Sequence, residues 1–333
     1  MSQTTPDDQV VLPPKKSKTG LIVGIVAAAL VIIIAAVVII VNVAGAKPAP
    51  VAGDGAEGAP EAIASGLGSA SEPVKIGVVG ASDPYWTTYK EAAAAEGISI
   101  ELVDFADYPL PNPALTEGEI DLNQFQHIVY LAQYNVASDE DLVPIGSTAI
   151  YPLGLYSQKY KSVDEIPDGE SIAIPDDPSN LARALLVLQS NGLISLTGGG
   201  SIFSTIDEID QANSRVKVTT LEAALTVTSL PDVAAAVINN DFLAPAGLAS
   251  TDAIAQDDPS DPNALPYVNI FAAPAADKDN PVFAQLVEIF QDSQPVLDGL
   301  VEQSGGTAVT VKVPVADLEA SLTKVEADTK ANG

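Results

Sequence analysis

The sequence contains no cysteine. That excludes structural disulfides, thiolate metal sites, a Cys nucleophile and a lipid-modified N-terminal Cys. It has a single histidine, His127, too few for a zinc site built on several imidazoles and the one possible base for a Ser-His-Asp triad. No Gly-x-Ser-x-Gly elbow occurs, and Gly198-Gly199-Gly200-Ser201 has neither the lysine of a phosphate-binding loop nor the spacing of a dinucleotide fingerprint. No cofactor or metal is therefore expected. Basic residues are scarce, with 15 Lys and Arg against 44 Asp and Glu. Two acids and four lysines lie in the first 47 residues, so the remainder carries 42 acids and 11 bases. Such a surface repels phosphate backbones and argues against nucleic acid as a partner.

What is present begins with an apolar run. Leu21–Val41 is 21 uncharged, almost wholly apolar residues, about 31 Å as a helix and close to the thickness of a bilayer core. Lys15, Lys16 and Lys18 precede it, which places the N-terminus in the cytoplasm and the rest outside. Ala44-Gly45-Ala46 resembles a signal-peptidase site, but secretory apolar regions run only about 7–15 residues, so an uncleaved anchor is expected. From Lys47 to Pro73, 19 of 27 residues are Ala, Gly, Pro or Ser, the composition of a flexible linker.

At Val74 the pattern changes to short strands interleaved with helices. Strands are expected at Val74–Val79, Ile98–Phe105, Leu142–Ser147, Ser171–Pro175, Val216–Leu221, Val233–Ile238 and Val309–Val313. Helices are expected at Pro84–Ala95, Pro113–Glu119, Pro178–Asn191, along Val282–Gln303 as one long amphipathic element, and from Val315. This alternation predicts an α/β fold. Extended segments near 149–157 and 267–275 predict two lobes joined by a two-stranded hinge, with a ligand cleft between them. The expected organisation is a cytoplasmic tail 1–19, an anchor 20–43, a linker 44–73, one lobe from 74–155 and 268–333, and a second from 156–267.

Three stretches carry chemistry. Asp176-Asp177-Pro178-Ser179-Asn180 follows a strand and opens a helix, with Asp177 as N-cap and Pro178 at the first helical position. The N–H groups of Ser179 and Asn180 then form an anion site, and Arg183 one turn on suits a carboxylate; an Arg so placed also reads as a surface residue. Phe125, His127 and Tyr130 form an aromatic wall suited to an apolar or thioether side chain, or equally a core cluster around one satisfied histidine. Ala236–Phe242 ends a buried strand in Asn239 and Asn240, which either bind polar ligand groups or cap a turn.

In this order, these stretches resemble the methionine-binding lipoprotein family of ABC importers, also called the NlpA family. The resemblance covers about residues 74–325. It also rests on Phe105-Ala106-Asp107-Tyr108, Pro111-Asn112, Ala114-Leu115, Tyr151-Pro152-Leu153-Gly154, Val237-Ile238-Asn239 and Pro266-Tyr267-Val268-Asn269. It implies a type II periplasmic-binding-protein fold, no enzymatic activity, L-methionine as ligand, and an ABC permease with its ATPase as partner. Carried over by position, Arg183 holds the ligand carboxylate, and Asn180 and Asn239 bind its polar groups. Phe125, His127 and Tyr130 line the side-chain pocket, with Tyr108 beside them. Three departures stand out. Asp176 replaces the family's usual Asn, a carboxylate placed to pair with Arg183 or meet a ligand ammonium. Val129 replaces a Pro, and an apolar helix stands where relatives carry a lipidated Cys. Another apolar amino acid or a methionine-containing dipeptide is the alternative ligand; an envelope hydrolase or a structural envelope protein is the alternative class.

Overall fold

The computed structural model describes residues 62–332. The expected tail, anchor and first part of the linker lie outside the described residues, within which no helix is long and apolar enough to cross a membrane.

Two five-stranded mixed sheets organise the chain. The first takes β1 (Val74–Val78), β2 (Ile100–Asp104), β3 (Leu122–His127), β4 (Leu142–Ser147) and a late strand from Asn269–Pro274. The second takes the strands at Gly154–Tyr156, Ser171–Pro175, Lys217–Leu221, Ala235–Ile238 and Ala255–Gln256. Numbered along the chain after β5 (Ala149–Ile150), those five are β6 to β10 and the late strand is β11; β12 is Val309–Thr310. Strand order is β2-β1-β3-β11-β4 in the first sheet and β10-β6-β9-β7-β8 in the second, while β12 pairs with β5. The helices are α1 (Pro84–Ala95), α2 (Pro111–Thr116), α3 (Ile128–Ser138), α4 (Pro178–Ser190), α5 (Ala223–Thr226), α6 (Pro281–Asp292), α7 (Gln294–Gln303) and α8 (Val315–Asn332).

Local sequence explains where these helices begin. α1, α4 and α6 each open with Asp or Asn followed by proline: Asp83-Pro84, Asp177-Pro178 and Asn280-Pro281; the Asp177 and Asn280 side chains accept an N–H of the first turn, and that of Asp83 does not. Proline at the first position has φ preset for the helix and gives up an N–H that has no intrahelical partner. One face of the first sheet is covered by α1, α6 and α7 through Trp86, Tyr89, Phe271 and Phe290, with Tyr89 donating its hydroxyl to Leu286 O at 3.0 Å. The other face meets α3 and α8 through Leu131, Ile270, Leu318 and Leu322. The second sheet packs α4 against one face through Leu185 and Leu188. Its opposite face joins Tyr108 and Phe125 of the first lobe in a cluster with Ala173, Ile238 and Phe242.

Four expectations change. The long amphipathic helix is two helices, α6 and α7, because Ser293 is extended (φ −83°, ψ 98°) and Pro295 follows; a proline ring clashes with the carbonyl four residues back in a continuous helix. The second crossing between lobes runs from 257 to 268 rather than 267 to 275, since β11 is an interior strand of the first sheet. β6 already belongs to the second sheet, so that sheet starts before residue 156. Finally, residues 62–73 are docked rather than free. Ile63 N donates to Gly97 O at 3.0 Å and Ser99 N to Gly68 O at 2.7 Å, while Ile63 and Leu67 pack on the core of the first lobe. These two apolar side chains, in a stretch otherwise composed like a linker, give it something to bury.

Candidate functional site

The lobes enclose a cavity of about 40 Å³ lined by Tyr108, Phe125, His127, Tyr130, Asn180, Arg183 and Asn239 among others. Seven of the eight residues singled out from sequence therefore share one site. The eighth, Asp176, is exposed and borders a surface recess with Gln133, Pro178 and Phe203. Successive side chains of an extended segment point to opposite sides; Asp177 turns inward to cap α4, so Asp176 turns out. It does not pair with Arg183.

Arg183, on the second turn of α4, is buried and clamped from one side. Its Nε donates to Asp257 Oδ2 at 2.6 Å and its Nη2 to Asp257 Oδ1 at 3.1 Å and to Tyr151 O at 2.8 Å. The guanidinium carbon lies 4.4 Å from the Tyr267 ring centroid, a cation–π stack. Nη1 has no hydrogen-bond partner among the described residues. Held this way, the fork has one donor edge left for an anion.

The start of α4 differs from the expected anion site. Asp177 Oδ1 accepts the Asn180 N–H at 2.9 Å and the Ser179 hydroxyl at 2.8 Å, so the chain's own carboxylate fills that position. The Asp177 carboxylate also accepts from Asn180 Nδ2, at 3.0 Å to Oδ1 and 3.1 Å to Oδ2. Burial raises its pKa, offset by these hydrogen bonds. Asn180 Oδ1 in turn accepts from Asn239 Nδ2 at 3.0 Å and lies 3.3 Å from His127 Nε2. Asn239 Oδ1 is buried with no partner among the described residues, an acceptor costly to leave unpaired.

His127 ends β3 and caps α3: its Nδ1 accepts the Tyr130 N–H at 3.1 Å. That bond makes Nδ1 the unprotonated nitrogen, so Nε2 carries the hydrogen and donates to Asn180. Burial, then the charge of Arg183, lowers the His127 pKa to about 3, and the ring is neutral at physiological pH. β3 itself is fully buried although its sequence is Leu122-Asn123-Gln124-Phe125-Gln126-His127. Its amides satisfy one another: Asn112 Nδ2 donates to Gln126 Oε1 at 2.8 Å and Asn123 Nδ2 to Asn112 Oδ1 at 2.9 Å.

The aromatic wall is a three-ring box. Centroid separations are 5.9 Å for Tyr108–Phe125, 6.1 Å for Tyr108–Tyr130 and 5.7 Å for Phe125–Tyr130, within the range of favourable ring pairs.

Asp241 is the residue the sequence reading left without a role. It lines the cavity, and its Oδ2 accepts the Tyr108 hydroxyl at 2.9 Å across the cleft. Burial, with the charge of Asp83 adding to it, raises its pKa to about 7. Its only signal was a place two residues after Asn239. Tyr151 and Asn269 also line the cavity and lie in stretches noted for their resemblance, and Asp257 had no signal at all. The cavity thus presents a cation at one place, neutral and acidic acceptors at another, and a ring box, which fits a small zwitterion with an apolar side chain.

Comparison with known proteins agrees with this geometry. The NlpA lipoprotein family model matches residues 74–311. The D-methionine-binding lipoprotein MetQ of Yersinia pestis is 37% identical over 241 residues, covering 71% of this chain and 87% of that protein. A nutrient-binding protein from Burkholderia cenocepacia bound to methionine superposes with a TM-score of 0.66 at 37% identity, covering 71% of this chain and 99% of that one. Protein PG110 from Staphylococcus aureus gives a TM-score of 0.72 at 35% identity, over 76% of this chain and 99% of that one. A model matched over most of the chain, relatives above a third identical and a shared α/β architecture lead to one conclusion: the chain belongs to the NlpA lipoprotein family, whose members are substrate-binding proteins of transporters and not enzymes.

Proposed function

We propose that this chain is the extracytoplasmic binding component of an ABC importer, capturing L-methionine between its two lobes and delivering it to the permease and its ATPase. One observation carries the reading. Arg183 and the unpartnered Asn239 Oδ1 face a single small cavity roofed by Tyr108, Phe125 and Tyr130. A carboxylate on Arg183 Nη1, an ammonium toward Asn239 and Asp241, and a thioether against the rings use each feature once.

The support for methionine is the ring box and the likeness to the Yersinia pestis and Burkholderia cenocepacia proteins, both of which are described as binding methionine. Isothermal titration of the purified protein with L-methionine, D-methionine, L-leucine and a methionine-containing dipeptide tests it. Saturable binding strongest for methionine is expected; no heat with any of them sinks the reading.

We further propose that Leu21–Val41 anchors the protein as a single transmembrane helix with residues 1–19 in the cytoplasm. Its length and flanking lysines support this, and no cysteine is present to carry a lipid. Membrane sedimentation in alkaline carbonate checks it: the full chain should stay in the pellet, and release into the supernatant counts against it.

A further inference from the structure

We propose that Asp177 is a positioning residue for ligand recognition: it sets the direction of a hydrogen-bond chain through Asn180 to Asn239, so that the cavity is offered an acceptor and not a donor. The inference rests on the amino-acid reading above.

A side-chain amide has one accepting and one donating end, and only its neighbours decide which way it faces. All four contacts to the Asp177 carboxylate come from donors: the Ser179 hydroxyl, the Asn180 N–H, and Asn180 Nδ2 to both oxygens. Nδ2 of Asn180 must therefore face Asp177, and its Oδ1 must face away. That oxygen is 3.0 Å from Asn239 Nδ2, so Asn239 in turn presents Oδ1 to the cavity. This atom is the end of the chain, buried on a residue only 8% exposed and without a partner.

Asp177, Asn180 and Asn239 all belong to the second lobe. Their polarity is consequently set before the first lobe contributes anything. His127 Nε2, from the first lobe, reads the same Asn180 oxygen at 3.3 Å and agrees with it. Asp177 thus pre-organises one half of the site for a ligand ammonium, which saves the amides a reorientation on binding.

The test must separate this role from the helix cap that Asp177 also provides. Asp177→Asn keeps a capping side chain of equal rank but adds an amide that can donate to Asn180, which lets Asn180 and then Asn239 turn over. The full chain in detergent is titrated with L-methionine and with 4-methylthiobutanoate, the same molecule without its ammonium. D177N should lose about tenfold in affinity for methionine, roughly one hydrogen bond's share, and nothing for the analogue. Equal losses for both ligands, or none, overturn the proposal. If the parent protein binds neither ligand, the methionine reading fails and the relay is judged without ligand. In that case the Asn180 and Asn239 side-chain amide resonances should each be single in the parent and doubled in D177N. Single, unshifted resonances in D177N overturn it.

Discussion

Asp241 and Asp257 are the carboxylates through which this site departs most from its sequence pattern, and each carries a prediction. The Asp241 pKa is raised from 3.8 to about 7, so the native state keeps a proton that the unfolded chain releases near 3.8. Between those values the folded form binds more protons, and its stability falls as pH rises toward 7. Asp83, raised to about 6 mainly by burial, acts in the same direction. His127, lowered to about 3, opposes them, since the unfolded imidazole protonates below 6.5 while the folded one stays neutral. Asp241→Asn removes one contribution cleanly. Calorimetry of both proteins at pH 5 and pH 8 should show the parent gaining several degrees relative to D241N on acidification; parallel shifts would disprove the assignment. Arg183→Lys keeps the charge but loses the planar fork toward Asp257 and the ligand, and titration should show methionine affinity reduced about tenfold or more. Arg183 itself was singled out by the family resemblance, since its place one turn into a helix reads equally as that of a surface residue. Asp257 was not, because it meets Arg183 from 74 positions away, and nothing local marks a residue whose role is to clamp another.

Elements were legible where apolar residues recur at one period and obscure where polar residues are buried. β1 and β7 read as strands because Val74-Lys75-Ile76-Gly77-Val78 and Ser171-Ile172-Ala173-Ile174 are buried apolar runs. β3 escaped notice as a strand because three amides and an imidazole stand among its six buried residues; only the folded network with Asn112 makes them acceptable in a core. The break between α6 and α7 was hidden by an apolar stripe that runs through it, although Pro295 marked the place. Packing between β4 and α6 makes a separate prediction. A Cβ at Gly146 would overlap the methyls of Val287, so Gly146→Ala should destabilise by about 1–3 kcal/mol. Val287→Ala in the same chain should recover much of that loss, because the two changes occupy one space. Urea unfolding of the two single variants and the double variant measures the coupling; additive losses would show that the sheet moves instead.

At the scale of the whole molecule, two sheets meet across one small cavity, where the polar cross-lobe contacts of Tyr108 to Asp241 and His127 to Asn180 stand beside an apolar patch that joins Tyr108 and Phe125 to Phe242. A ligand that completes such an interface should stabilise the folded chain by about 2.7 kcal/mol at a hundred times its dissociation constant. Differential scanning fluorimetry with L-methionine should therefore show a rise in midpoint of several degrees, and a smaller one with lysine, whose ε-ammonium loses its hydration on burial. The docked segment 62–73 has a mechanical consequence. The polypeptide enters the domain against Gly97 and Ser99, at the edge of the first lobe, well away in sequence from both crossings at 150–153 and 257–268. Any pull along the preceding chain is therefore taken up by the first lobe alone. The second lobe, with Arg183 and the Asp177 relay, is joined to that entry point only through the first, so a movement of the second lobe would do no work against a tether attached before residue 62.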